Sequence, residues 1–248
     1  IELKVRSVVG LSVLFDAVIL KNDCLQKLPD FKKRMQFVKD YRIAHQKFLP
    51  GEQVRENGDI LISLIHKERL IQLLTVMLDE NEFLAGAGIR ALSKFHLQHP
   101  FVLEMDGNLH SISYQPAESD NNMFGGNSNW RGPVWMPLNY LLIQSLYQFH
   151  TFYGDSLKMP FPTASDIFLN LKEIADALSA KILSPFQIDK EGNRPVHGNA
   201  NWFYNRPENK GLILFYEYYH GENSNGLGAS HQTGWSSLVA EIIGNHIF

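Results

Sequence analysis

The sequence predicts a mainly helical fold. Three observations carry that expectation: apolar residues recur at three- and four-residue spacing in successive segments, proline and glycine punctuate those segments, and strands do not alternate with helices as a parallel α/β sheet requires. About six or seven helices and one hairpin account for the chain, read as a single domain over residues 1–248. With 248 residues and 44% hydrophobic content, the chain is long enough to build one sizeable core.

Taken in order, apolar residues from Val5 through Val8, Leu11 and Phe15 to Leu20 follow helical spacing, with Asn22-Asp23 as the expected stop. A second amphipathic helix fits Asp30 to Tyr41, where Phe31, Met35, Phe37 and Val38 lie between lysines and arginines, and a third fits Lys67 to Leu78. Glu52 to Asp59 is polar and contains Asn57-Gly58, so it reads as a loop. The signal changes between Phe101 and Tyr114, where two short extended runs flank Asp106-Gly107. That dipeptide favours the positive φ angles of a tight hairpin turn. Trp130 to Met136 is expected to stay extended, because Pro137 disfavours helix at the residue before it and itself suits a first helical turn. The helix Pro137 to Tyr153 then points Leu138, Leu141, Leu142, Leu146 and Phe149 inward and ends at Gly154. After Pro160 and Pro162, Ser165 to Leu183 reads as helix with Ile167, Leu171, Ile174, Ala175 and Leu178 on one face. Lys190 to Lys210 reads as a long polar loop. Thr233 is placed to cap a last helix whose apolar face is Trp235, Leu238, Val239, Ile242 and Ile243.

Composition excludes several classes. The formal charge of −3 arises from 23 basic and 26 acidic residues spread along the chain, which removes the basic footprint of a nucleic-acid binder. The longest apolar run, Val8 to Phe15, is far short of a membrane span, and the residues around it do not form a signal peptide. One cysteine, Cys24, and no Asn-x-Ser/Thr sequon fit a cytoplasmic protein. No phosphate loop, HExxH, paired CxxC or strand-linked GxGxxG motif is present. Gly228-Ala229-Ser230-His231-Gln232 fails as a nucleophile elbow because glutamine replaces the second glycine and no strand is expected before it. Asp189 to Asn193 lacks the alternating oxygens and closing glutamate of a calcium loop, and His96 and His99 read as solvated surface. The expectation is therefore no metal and no cofactor. Oligomeric state has no signal in the sequence.

Two segments carry candidate chemistry. Phe124 to Tyr140, FGGNSNWRGPVWMPLNY, joins the amides of Asn127, Asn129 and Asn139 and the guanidinium of Arg131 to the flat faces of Trp130 and Trp135, the combination that recognises a pyranose ring. Singly, each tryptophan reads as core and Arg131 as half of an ion pair with Asp120 or Glu118; together, the polar cluster calls for a polyhydroxylated partner. Leu214 to Gly226, LFYEYYHGENSNG, places Glu217 among Phe215, Tyr216, Tyr218 and Tyr219, so its carboxylate is a candidate base. The plainer alternative is an exposed glutamate on a strand whose alternate residues are core, and local sequence alone does not separate the two. Glu222 reads as loop surface. Gln232, Thr233 and Trp235 form a third polar-aromatic cluster.

The stretches NWRGPVWMPLNYLL, FYEYYHGENSNGLGASHQTGWSSLV and, less specifically, LKVRSVVGL resemble the C-terminal part of glycoside hydrolase family 63, nearest its bacterial glucosidase and mannosylglycerate-hydrolase-like branch. The resemblance implies an (α/α)6 barrel and inverting hydrolysis of a terminal α-linked glucose or mannose, with two carboxyl groups flanking the scissile bond and a water on one side. It maps the general base to Glu217 and substrate contacts to Trp130, Arg131, Trp135, Asn139, Tyr140, Tyr219, Gln232 and Trp235. The family's general acid is an aspartate after a tryptophan, and none of the four tryptophans here precedes aspartate. With the missing initiator methionine and too few helices for a full barrel, this implies the C-terminal half of a longer enzyme. The implied partner is an oligosaccharide or small glycoside. The competing readings are a non-catalytic carbohydrate-binding domain and a sugar epimerase or isomerase on the same barrel, which would need histidines facing the pocket.

Overall fold

The computed structural model describes residues 4–47, 51–120 and 130–246. Within them the fold is mainly helical with small antiparallel sheets. The helices that build its centre are α4 (Met136–Tyr153), α5 (Leu171–Leu183) and α8 (Leu238–His246), which pack on one another. Leu142, Ile143, Leu146 and Phe149 of α4 meet Ile174, Leu178 and Ile182 of α5 and Ile242 of α8 in one apolar cluster, joined by Leu70, Leu74 and Met77 of α3 (Lys67–Met77).

α4 begins at Met136, so Met136 is helical where the sequence predicts extended backbone, and Trp130 to Gly132 form a turn and bend; Trp135 is extended, Pro137 lies in the first turn, and the helix ends at Gly154 with φ of 55°. Its buried stripe differs from expectation at Leu141, which is exposed. Asn139 occupies a core position instead, and a polar residue on the inward face hides the phase of an apolar pattern. α5 starts at Leu171 rather than Ser165, because Asn170 forms a capping box: its side chain accepts the Glu173 N–H while the Glu173 carboxylate accepts the Asn170 N–H. The residues before it form β9 (Phe168–Asn170), paired with β8 (Lys158–Pro160), and Ile167 is exposed rather than on a helical face.

The N-terminal region departs furthest from the sequence reading. The expected first helix splits into a 3-10 helix at Val8–Phe15 and a strand, β1 (Ala17–Leu20). β1 pairs with β3 (Ile60–Ser63), and the segment read as a loop supplies the third strand, β2 (Gly51–Val54), on the other edge of β3. Short apolar runs carry little helix or strand preference of their own, so the long-range partner decides. α1 (Asn22–Lys27) and α2 (Pro29–Ala44) follow β1, and α2 buries none of its residues. The hairpin forms as predicted: β6 (Phe101–Met105) pairs with β7 (Asn108–Ile112) across Asp106 and Gly107, at φ of 53° and 76°. The remaining strands are the two-residue pairs β4 (Leu84–Ala85) with β5 (Gly88–Ile89) and β10 (Tyr218–Tyr219) with β11 (Gly226–Leu227). The polar 190–210 stretch contains a 3-10 helix, Pro195–Ala200, and α6 (Asn201–Tyr204). Near the C-terminus, Thr233 is the first residue of α7 (Thr233–Ser236) rather than its cap; Gln232 holds the cap position without a side-chain bond. No helix among the described residues is long and apolar enough to cross a membrane.

Candidate functional site

The two segments singled out in the sequence are hydrogen-bonded neighbours. Val134 of the tryptophan loop donates to the Tyr219 carbonyl at 2.8 Å and accepts the Tyr219 N–H at 2.9 Å; on its other side Ala91 donates to the Pro133 carbonyl at 2.9 Å. A narrow ladder thus runs from the Arg90 backbone through Val134 to β10, with Glu217 one residue before β10 begins. Gly132 allows this approach. At φ of 156° it sits where any Cβ would fall 2.5 Å from the Gln115 carbonyl and 2.6 Å from the Tyr114 ring.

The aromatics form one cluster. Trp130 lies parallel on Trp135 with ring centroids 4.3 Å apart, and Trp135 in turn meets Tyr218 at 4.7 Å and Trp235 at 5.4 Å. Trp135, Tyr218 and Tyr219 are fully buried, whereas Trp130 is half-buried and Trp235 exposed. Tyr218 Oη donates to both carboxylate oxygens of Glu118, at 2.9 and 3.0 Å. Trp130 also borders an apolar cavity lined by Val8, Val9, Phe15 and Leu138. Burial lowers the pKa of the Arg131 guanidinium from its usual value, and the Asp120 carboxylate opposes that shift. The stretch Phe124 to Asn129, including Asn127 and Asn129, lies outside the described residues.

Asn139 is buried and its amide is committed to the backbone. Oδ1 accepts the Ile89 N–H at 2.6 Å, and Nδ2 donates to the carbonyls of Ile89 at 3.0 Å and Trp135 at 2.9 Å, tying the β4–β5 turn to the start of α4. Tyr140 is half-buried against the core. Gln232 is half-buried and its N–H donates to the Phe215 carbonyl at 2.8 Å, bringing the third cluster against the glutamate segment. Glu217 is half-buried. Its backbone N–H donates to the Ala229 carbonyl at 2.9 Å, and its Oε2 accepts the Ala229 N–H at 3.3 Å. The carboxylate rests beside Gly228, whose φ is 70°; a Cβ there would stand 2.7 Å from Glu217 Oε2 and 2.8 Å from Tyr218 Cε1. The structure therefore brings Glu217, Trp235, Gln232 and the Trp130–Trp135 stack into one neighbourhood.

Two features escaped the sequence. Glu222, read as loop surface, accepts from Tyr114 Oη at 2.6 Å, Lys94 Nζ at 3.1 Å and Arg90 Nη2 at 3.4 Å. Burial pushes its pKa up, but the Tyr114 and Lys94 hydrogen bonds and the Arg90 and Lys94 charges outweigh it, so its carboxyl lies below the usual range. His96, also read as surface, is buried: Nε2 accepts the Arg6 N–H at 2.9 Å and Nδ1 lies 2.9 Å from the His99 carbonyl. Neither site has a local sequence signature, because each depends on partners far along the chain.

The Glycosyl hydrolase family 63 C-terminal domain matches residues 59–178, a span that takes in the tryptophan loop and ends before Glu217. Individual relatives then extend the likeness. An uncharacterized protein of Saccharomyces cerevisiae is 38% identical over 98% of this chain, which covers 23% of that protein. The mannosyl-oligosaccharide glucosidase of Saccharomyces cerevisiae is 28% identical over 60% of the chain, and a probable mannosyl-oligosaccharide glucosidase of Schizosaccharomyces pombe is 27% identical over 71%. The chain spans 14% and 15% of those two proteins. The chain is thus distantly similar to mannosyl-oligosaccharide glucosidases and spans less than a quarter of each relative's length.

Proposed function

We propose that this chain forms part of the catalytic domain of an inverting glycoside hydrolase that removes a terminal α-linked glucose or mannose. Glu217 acts as the general base, and an aspartate outside this chain acts as the general acid. The observation that carries this reading is that the Val134–Tyr219 ladder joins the segment bearing Glu217 to the tryptophan loop, with Tyr218, the residue after Glu217, packed on Trp135 at 4.7 Å. A half-buried carboxylate fixed by one backbone N–H keeps lone pairs for a water, and partly exposed tryptophans offer apolar faces to a sugar. The family 63 match and the glucosidase relatives support the same chemistry.

In this reading Trp130, Gln232 and Trp235 touch the sugar, Trp135 and Tyr219 pack behind them, and Asn139 serves stability by tying the β4–β5 turn to the start of α4. Arg131 and Tyr140 complete the loop that carries Trp130. The proposal extends to an (α/α)6 barrel completed by residues beyond this chain, to a small glycoside substrate of the kind used by the bacterial branch, and to a cytoplasmic location.

Glu217→Gln in the full-length protein tests the assignment. Removing a general base is expected to slow turnover of α-glucosides or α-mannosides by a factor of about 10²–10⁴ while leaving sugar binding within about twofold. Undiminished hydrolysis by the Glu217→Gln variant would remove Glu217 from the mechanism. Wild-type protein that binds sugars but releases none would instead favour the carbohydrate-binding reading.

A further inference from the structure

The β10–β11 pair is two residues on each strand, too short to fix its own place. Glu217 stands just before it, and the backbone that holds the Glu217 carboxylate, Ala229, stands just after it. Wherever this hairpin sits, Glu217 sits with it. One edge is held by the Val134–Tyr219 ladder, and the six-residue turn between the strands is held at its tip.

There Gly221 donates to the Pro116 carbonyl at 2.7 Å and lies so near the Gly132 carbonyl and Tyr114 Oη that a Cβ would stand 2.7 Å from both. Beside it Glu222 takes its three donors. Arg90, buried together with Tyr114, is itself fixed: Nη1 donates to the carbonyls of Leu84 and Glu80, and Nε donates to Tyr114 Oη at 3.1 Å. A buried guanidinium needs a counter-charge, and a hairpin tip needs an anchor; Glu222 supplies both.

We propose that Glu222 is a positioning residue for Glu217, clamping the β10–β11 hairpin through Arg90, Tyr114 and Lys94 so that Glu217 keeps its place in the segment laddered to Val134 and its carboxylate its bond to the Ala229 N–H. This rests on the hydrolase reading for its catalytic consequence but not for its structural content. The turn's other titratable group, His220, accepts the N–H groups of Glu222 and Asn223 at Nδ1 and thereby closes the turn on itself.

Amide hydrogen exchange of Glu222→Gln tests it, read at Glu217, Tyr219 and Ala229 against Leu142 and Ile174 of the core helices. Losing the charge-assisted clamp is expected to speed exchange at the hairpin amides about tenfold or more, with core amides unchanged. In the full-length protein, kcat is expected to fall about tenfold with KM within about twofold, since the base is displaced and the sugar platform is not. Hairpin amides that exchange at the wild-type rate, or core amides that accelerate equally, overturn the proposal. Should Glu222→Gln fail to fold, Lys94→Met removes one outer donor and is judged by the same two outcomes. Faster hairpin exchange in a protein that hydrolyses no glycoside even as wild type would sink the hydrolase reading and leave the clamp standing.

Discussion

Asn139 shows at the scale of one residue why composition and placement diverge. In sequence it stands among amides and tryptophans and reads as a sugar contact; in the fold its three polar contacts are all to the Ile89 and Trp135 backbone. Gly88 makes room for it, since a Cβ there would fall 2.6 Å from Asn139 Oδ1. Asn139→Ala would strand the buried Ile89 N–H and is expected to cost about 2–3 kcal/mol of stability. Denaturant unfolding measures that loss, and sugar affinity of the folded fraction should be unaltered; a loss of affinity without a loss of stability would return Asn139 to the binding surface. Glu217 behaves in the opposite way. Its aromatic neighbours are visible in sequence, but its carboxylate is set by the Ala229 N–H and by the space at Gly228, neither of which the sequence reveals.

Among the elements, those with strong local punctuation were legible and those defined by pairing were not. Asp106-Gly107 marked the β6–β7 turn and Gly154 the end of α4 because these residues accept positive φ, and Pro137 marked the first turn of α4 because its own φ is fixed. The start of α5 differs from the sequence expectation although its capping box is written in the sequence: the apolar Ile167 lies in helical phase with Leu171, yet it belongs to the β8–β9 connection. Asn170→Ala removes the side chain that receives the Glu173 N–H and is expected to destabilise the fold by about 1 kcal/mol. A thermal or denaturant midpoint indistinguishable from wild type would show that packing of Leu171 and Ile174 holds this end without its cap. β1 and β2 had no such marks. Ala17 to Leu20 became strand because Ile60–Ser63 was there to receive it.

For the whole molecule, pH reads how many of these long-range contacts hold together. Burial lowers the pKa of His197, with the Arg194 charge adding to it, and burial lowers that of His220 against the Glu222 charge. Both are easier to protonate in the unfolded chain than in the fold, so stability is expected to fall as pH drops below the ordinary histidine value of about 6.5. Glu222 acts in a lower window. Its folded carboxyl lies below the usual range, so its contribution is present above the unfolded glutamate pKa of about 4.3 and is lost as pH falls through the folded value. Melting temperature should therefore decline in two stages on acidification. The upper stage should shrink in His197→Phe, where a buried ring stacked on Tyr204 at 4.0 Å is kept without its titration. A melting temperature constant from neutral pH to about pH 5 would contradict the assignment of both histidines.

The sequence by itself determined the helical class, the hairpin, the limits of α4 to within a residue and the two segments where chemistry could lie, because periodicity, the fixed φ of proline and the positive φ open to glycine act over a few residues. Only the tertiary structure decided that those two segments are laddered together at Val134 and Tyr219, that Trp135 and Asn139 are framework, and that Glu222 is clamped by Arg90, Lys94 and Tyr114. The partners of Glu222 lie 108 to 132 residues away in the chain. A charge at that separation has no local pattern to announce it, and its setting follows only once the core has folded around it.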